Sequence, residues 1–152
     1  LWSVFFLMVR RHPGSTLFPY TTLFRSMLRA PTLDKTGLYR YLEDGAAGLM
    51  IPHVSTAEKA QMLVDATKFP PLGDRGLDGA GLDSDFIIQG GKDFPAEANA
   101  ETFLVVQIET PQAVENVEEI AAVKGVDGMF VGPGDLGLRL RHSSGQDRKS
   151  GV

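Results

Sequence analysis

The chain has 152 residues, 43% of them hydrophobic and 22% charged, with a formal net charge of -4. That is enough for one domain with a real core, and it is ordinary for a soluble protein. It contains no cysteine, so disulfides, thiolate metal sites and cysteine nucleophiles are excluded, and between 27 and 146 there are 10 Lys plus Arg against 18 Asp plus Glu, a balance that gives no support to nucleic-acid binding.

Taken in order, LWSVFFLMV at 1–9 is too short to span a bilayer. Its basic residues Arg10 and Arg11 follow the apolar run, where a signal peptide would need them first. TLFPYTTLFRS at 16–26 reads as the direct translation of a common sequencing adapter, and DRKS at 147–150 as the opposite-strand reading of its end. Segments 1–26 and 147–152 are therefore expected to be artefacts outside the domain, which runs from 27 to 146. His12 falls with the first of them, and His142 lies near the second junction.

MLRAP at 27–31 looks like a strand end with Arg29 at its edge. Asp34 caps a helix that turns Leu38, Tyr41 and Leu42 inward and stops at Gly45. AAGLMI at 46–51, ending at Pro52-His53, reads as a buried parallel strand. Ser55 and Glu58 have capping-box spacing and open a helix that buries Ala60, Leu63 and Val64. FPPLGDRGLDGAG at 69–81 is a loop, expected to continue to about Ala100 and to cover a site or a partner subunit.

FLVVQIETPQAVENVEEIAAVKGVDGMFVGPGDLGL at 103–138 reads as strand, helix, strand, with Glu109 and Asp135 closing the strands. Thr110 is the N-cap, Pro111 the first helical residue, and Ala113, Val114, Val117, Ile120 and Ala121 the apolar stripe. Glu115, Glu118 and Glu119 form the solvated face. The alternation predicts an α/β protein with about four parallel strands, either doubly wound or about half of an eight-fold barrel, which needs roughly 250 residues.

Gln107 and Glu109, two apart on a strand, share a face. Glu109 and Asp135 at neighbouring strand ends are placed to converge on one divalent cation. Hard oxygen donors favour Mg²⁺ or Mn²⁺ over Co²⁺ or Zn²⁺. Either acid alone reads as a helix-terminus or turn residue, whereas the pair points to a site. GPGDLG lacks phosphate-loop spacing and lysine, so phosphate binding is the weaker reading. His53 reads as a packing or supporting residue and is given no catalytic role.

VQIET at 106–110, GVDGMFVGPGDL at 125–136, KFPPLGDRG at 68–76 and LRAP at 28–31 together resemble the HpcH/HpaI aldolase family, metal-dependent pyruvate aldolases of the 4-hydroxy-2-oxoheptanedioate type. The resemblance covers 27 to about 140 and implies part of a (β/α)8 TIM barrel. It implies a class II carbon-carbon lyase, cleaving 4-hydroxy-2-oxo acids reversibly to pyruvate and an aldehyde through a metal-bound pyruvate enolate. Carried over by motif, Glu109 and Asp135 look like the metal ligands. Gln107, Gly134 and Asp135 look like substrate contacts, Arg29 like the residue that stabilises developing charge, and Glu43 like the acid that supports a catalytic histidine.

The family carries that histidine upstream of LRAP, in the region that here is adapter-like. A fragment lacking the base, and so inactive by itself, is therefore one alternative. Another is an acyl-CoA lyase of the citrate lyase β-subunit type, which shares the barrel and the acid pair. The expected partners are a small 2-oxo acid and an aldehyde, with no nucleic acid and no membrane. The resemblance implies a homo-oligomeric parent, and a cytoplasmic location is expected.

Overall fold

In the computed structural model, described over residues 4–7, 25–78, 81–84 and 93–146, the strands form one five-stranded sheet in the order β1-β2-β3-β4-β5. The strands are β1 Val4–Leu7, β2 Arg25–Arg29, β3 Gly48–Ile51, β4 Phe103–Ile108 and β5 Gly128–Val131. β2 to β5 are parallel, with Arg29 opposite Met50, Met50 opposite Val105, and Gln107 opposite Phe130. β1 lies antiparallel on the outer side of β2, Leu7 opposite Arg25. The expected four parallel strands are present, and they constitute part of a (β/α)8 barrel. Most of the flanks read as artefact lie outside the described residues; β1 and the first two residues of β2 do not.

All four residues of β3 are buried, as the apolar run predicted for a strand covered on both faces. The helices on the outer face are α1 Lys35–Glu43 and α2 Ala57–Thr67. α3 Phe94–Glu101, α4 Pro111–Glu115, α5 Val117–Ala121 and α6 Pro133–Gln146 complete the set. Leu38 and Leu42 of α1, Leu63 and Val64 of α2, and Leu49 and Val106 of the sheet share one core. Two predicted caps are observed: Asp34 Oδ2 accepts from the Gly37 amide at 2.8 Å, and Thr110 Oγ1 from the Ala113 amide at 3.0 Å. Gly45 ends the α1 turn at φ 94°, a conformation that favours glycine.

Four expectations need correction. The cap of α2 is Thr56, whose hydroxyl accepts from Lys59 N at 3.3 Å, so the capping box is displaced by one residue from Ser55. Glu58 still bonds back to Thr56 and to its own amide, which holds its carboxyl below the ordinary range. The helix after Thr110 is interrupted at Asn116, whose side chain donates to Ser55 O at 2.9 Å. That tertiary bond competes with helical geometry, and Val114 is left 47% exposed.

The third correction is α3, which occupies part of the predicted loop. FPAEANAE has almost no amphipathic stripe and no side-chain cap, so local sequence gives little signal. Tertiary bonds hold it instead. Asn99 exchanges hydrogen bonds with the Phe69 backbone at 2.8 and 2.9 Å, and the Phe94 ring packs edge-on against Phe69. Lys68, whose side chain is 2% exposed, donates to Thr102 O at 2.6 Å and pairs with Asp127 at 2.9 Å, tying the end of α2 to α3 and the start of β5.

The last correction concerns Asp135. β5 stops at Val131, and Pro133 opens α6, so Asp135 sits in the first turn of a helix and not at the strand end. Proline is well suited to that position because its missing N–H is not needed there. β5 is also poorly covered, with Met129, Phe130 and Val131 each more than 40% exposed. Among the described residues no helix is long and apolar enough to cross a membrane.

Candidate active site

In parallel α/β sheets the carboxyl ends of the strands carry the chemistry, because loops there converge without blocking the sheet. Here those ends bring together Arg29 from β2, His53 just beyond β3, and Gln107 and Glu109 from the end of β4. The register is responsible: Arg29 pairs with Met50, and Met50 with Val105, so the three termini lie side by side. The same-face argument for Gln107 and Glu109 holds, with Gln107 Nε2 3.5 Å from Glu109 Oε2, a long and weak contact.

Arg29 Nε donates to Gln107 Oε1 at 2.7 Å. Among the described residues its two Nη groups have no hydrogen-bond partner. The result is a row running from guanidinium to amide to carboxylate, in which the Arg29–Gln107 bond is firm and the Gln107–Glu109 contact weak. Gln107 is 5% exposed and Glu109 1% exposed, so neither side chain is free to reorient into solvent.

Glu109 Oε1 takes two further contacts, from the His53 backbone N–H at 2.8 Å and from His53 Nδ1 at 3.0 Å. Arg139 Nη2 lies 3.5 Å from the same ring nitrogen. That contact is long, and its direction depends on the ring tautomer. His53, read from sequence as a supporting residue, thus meets the candidate acid directly. Its backbone has φ 56°, and nothing in the local sequence except Pro52 hints at that geometry.

Gly132, between β5 and α6, closes the other side of Glu109. A Cβ at that position would lie 2.8 Å from Glu109 Oε2 and 2.9 Å from its Cβ. Asp135 follows three residues later, a span of roughly 10 Å at most. It is exposed in the first turn of α6, as is Gly134, where an added Cβ would meet no atom within 4 Å. The surroundings of Glu109 fit a hard cation: a buried carboxylate with one oxygen bonded to the His53 amide and the other weakly engaged. Among the described residues no group of three or more acidic or histidine side chains is placed to hold a metal. Among the described residues Glu109 and Asp135 are the carboxylates that could share a cation, which would take its remaining oxygen donors from water or substrate.

Glu43 stands apart from this row. It ends α1, and helices of a parallel sheet run opposite to their strands, so it lies towards the amino ends of the strands. Its neighbours are Arg75, Asp83, Asp78 and Arg40. Burial pushes its carboxyl above the ordinary range, with Arg75 opposing the rise and Asp83 and Asp78 adding to it. Arg75 is itself buried, paired with Asp83 at 2.5 Å and stacked 4.5 Å over the Phe69 ring.

Comparison with known proteins identifies relatives of this chain. Residues 15–150 match the family model described as HpcH/HpaI aldolase/citrate lyase. A 4-hydroxy-2-oxovalerate aldolase of Novosphingobium aromaticivorans is 44% identical over 111 residues, 73% of this chain and 41% of that protein. A hydroxypyruvate/pyruvate aldolase of Deinococcus radiodurans is 42% identical over 116 residues, 76% of this chain and 42% of that protein. The crystal structure of an HpcH/HpaI aldolase from Desulfitobacterium hafniense superposes with a TM-score of 0.70 at 40% identity, covering 76% of this chain and 44% of that one. The chain thus spans less than half the length of these relatives. By sequence and by fold, it belongs to the HpcH/HpaI aldolase/citrate lyase family.

Proposed function

We propose that residues 27–146 form part of a metal-dependent pyruvate aldolase, a carbon-carbon lyase acting on 4-hydroxy-2-oxo acids. The observation that carries this reading is the row Arg29, Gln107, Glu109, where a cation, a neutral donor and a buried carboxylate line the carboxyl edge of the sheet. Glu109 and Asp135 would hold a divalent cation, with Mg²⁺ or Mn²⁺ suited to the oxygen donors. Bound there, the ion supplies positive charge beside the ketone oxygen of a 2-oxo acid.

The chain's own residues do the rest. The Nη groups of Arg29, kept in place by the Nε bond to Gln107, donate hydrogen bonds to the substrate oxygen on which charge develops as the carbon-carbon bond breaks. The Gln107 amide, held at Oε1 by Arg29, leaves its Nε2 only weakly engaged and able to donate to a substrate carboxylate. The Gly134 backbone leaves room for close approach, and Asp135 borders the same opening.

Carbon-carbon cleavage in a 4-hydroxy-2-oxo acid also needs a base for the 4-hydroxyl proton. Among the described side chains His53 is the only histidine, and the sequence gives it a supporting and not a catalytic role. Our reading is that this chain binds the oxo acid without turning it over efficiently.

The alternative is a CoA-thioester lyase, since the matching family description includes citrate lyase. The Mn²⁺-loaded chain should take up pyruvate, seen as faster relaxation of the pyruvate methyl protons, and acetyl-CoA should not compete. Uptake of the thioester with no response to pyruvate would reverse the assignment.

A further inference from the structure

We infer that His53 is the positioning residue for Glu109, acting mainly through its left-handed backbone. The inference rests on the reading of Glu109 as the buried acid of the site. His53, at φ 56°, donates its amide to Glu109 Oε1 at 2.8 Å, and its ring nitrogen Nδ1 lies 3.0 Å from the same oxygen. A carboxylate that is 1% exposed needs such donors, because burial without them disfavours the charged form.

The amide bond and the ring contact both fall on Oε1, so Oε2 is directed away from β3. There it faces the Gly132 backbone and the distant Gln107 amide. The carboxylate is thereby divided into an anchored oxygen and a presented one. A cation approaching this edge would meet Oε2, already oriented.

This arrangement separates two properties of residue 53. The backbone N–H contributes only if the residue tolerates positive φ, which glycine and asparagine do readily and β-branched residues do not. The ring contributes only if the side chain can donate. His53→Asn keeps the conformation and a donor group, His53→Gly keeps the conformation alone, and His53→Val keeps neither.

The test has one arm without metal and one with it. In the metal-free chain, the amide proton of residue 53 should resonate downfield in the ¹H–¹⁵N spectrum and move upfield by more than 1 ppm in Glu109→Ala. In the second arm, Mn²⁺ is titrated by electron paramagnetic resonance. His53→Asn should bind within about 3-fold of the parent chain, His53→Gly within about 5-fold, and His53→Val at least 10-fold more weakly, while thermal melts without metal confirm that each variant folds.

A residue-53 amide indifferent to Glu109→Ala would overturn the inference, as would a folded His53→Val variant that binds Mn²⁺ like the parent. If His53→Val does not fold, failure of His53→Asn to preserve binding is equally decisive. If the parent chain binds no Mn²⁺, or Glu109→Gln binds it unchanged, the metal reading fails by itself. The amide arm then still decides whether His53 positions Glu109.

Discussion

Replacing Gly132 by alanine perturbs the candidate site without touching any of its polar groups. Gly132 lies outside the left-handed region, so a side chain there meets no backbone penalty, and its amide bond to Ile108 O at 3.0 Å is retained. The conflict is spatial. The new Cβ would stand 2.8 Å from Glu109 Oε2 and 2.9 Å from Glu109 Cβ, well inside contact distance. Glu109 is hindered from swinging aside, because its other oxygen accepts from the His53 amide and the side chain is buried.

Overpacking of this kind costs about 1–3 kcal/mol, which lowers Tm by roughly 3–10 °C in a domain of this size. Gly134→Ala is the matched control, since an added Cβ there meets nothing within 4 Å and alanine favours the helix by up to about 1 kcal/mol. Thermal melts followed by circular dichroism should show Gly132→Ala falling while Gly134→Ala holds or rises. In a Mn²⁺ titration Gly132→Ala should lose affinity at least 10-fold and Gly134→Ala less than 3-fold. Equal stability and equal Mn²⁺ binding for Gly132→Ala would refute the idea that Glu109 is held fixed against the β5–α6 junction.

Other perturbations separate structural from site roles. Asp127→Ala removes the charge paired with Lys68, whose side chain is 2% exposed and keeps the Thr102 and Asn99 carbonyls, and should cost about 1–3 kcal/mol. Lys68→Met should cost less, because the Asp127 it leaves unpaired is 42% exposed, and chemical denaturation of the two variants checks the order. For Glu43, burial raises the carboxyl pKa above its unfolded value. The favourable contribution of the protonated group is then complete below the unfolded pKa and lost as pH rises through the folded one. Glu43→Gln should therefore raise Tm at pH 7, with the gain shrinking towards pH 4, and a gain independent of pH would contradict this. Arg29→Lys keeps the charge but not the Nε geometry that meets Gln107 at 2.7 Å. It should weaken pyruvate uptake by the Mn²⁺-loaded chain about 10-fold while leaving Tm within a few degrees, as read by relaxation titration and melts.

What could be read in advance divides along a physical line. Local rules placed β3, because four consecutive apolar residues need cover on both faces. They also placed the Asp34 and Thr110 caps, because those side chains bond within three residues. The row of Arg29, Gln107 and Glu109 was legible for the same reason, each residue closing or nearly closing a strand.

What local rules missed is held by long-range contacts. α3 depends on Asn99 and Lys68 bonds across about 30 residues of sequence, and the break at Asn116 depends on Ser55, 61 residues away. The position of Asp135 turned on whether Pro133 ends a strand or begins a helix, and the Gly132-Pro133-Gly134 context fits both. His53 was visible as a residue but not as a donor, since a positive φ at a non-glycine residue leaves no trace in composition or periodicity.

The central claim is that Glu109 and Asp135 together present a 2-oxo acid to a divalent cation at the carboxyl edge of the sheet. The most direct measurement is the ¹³C relaxation of pyruvate labelled at C1 and C2, with the Mn²⁺-loaded chain and with Glu109→Gln and Asp135→Asn. The account predicts strong, saturable broadening of both carbons with the parent chain and its loss in each variant. Broadening that survives both substitutions would contradict it.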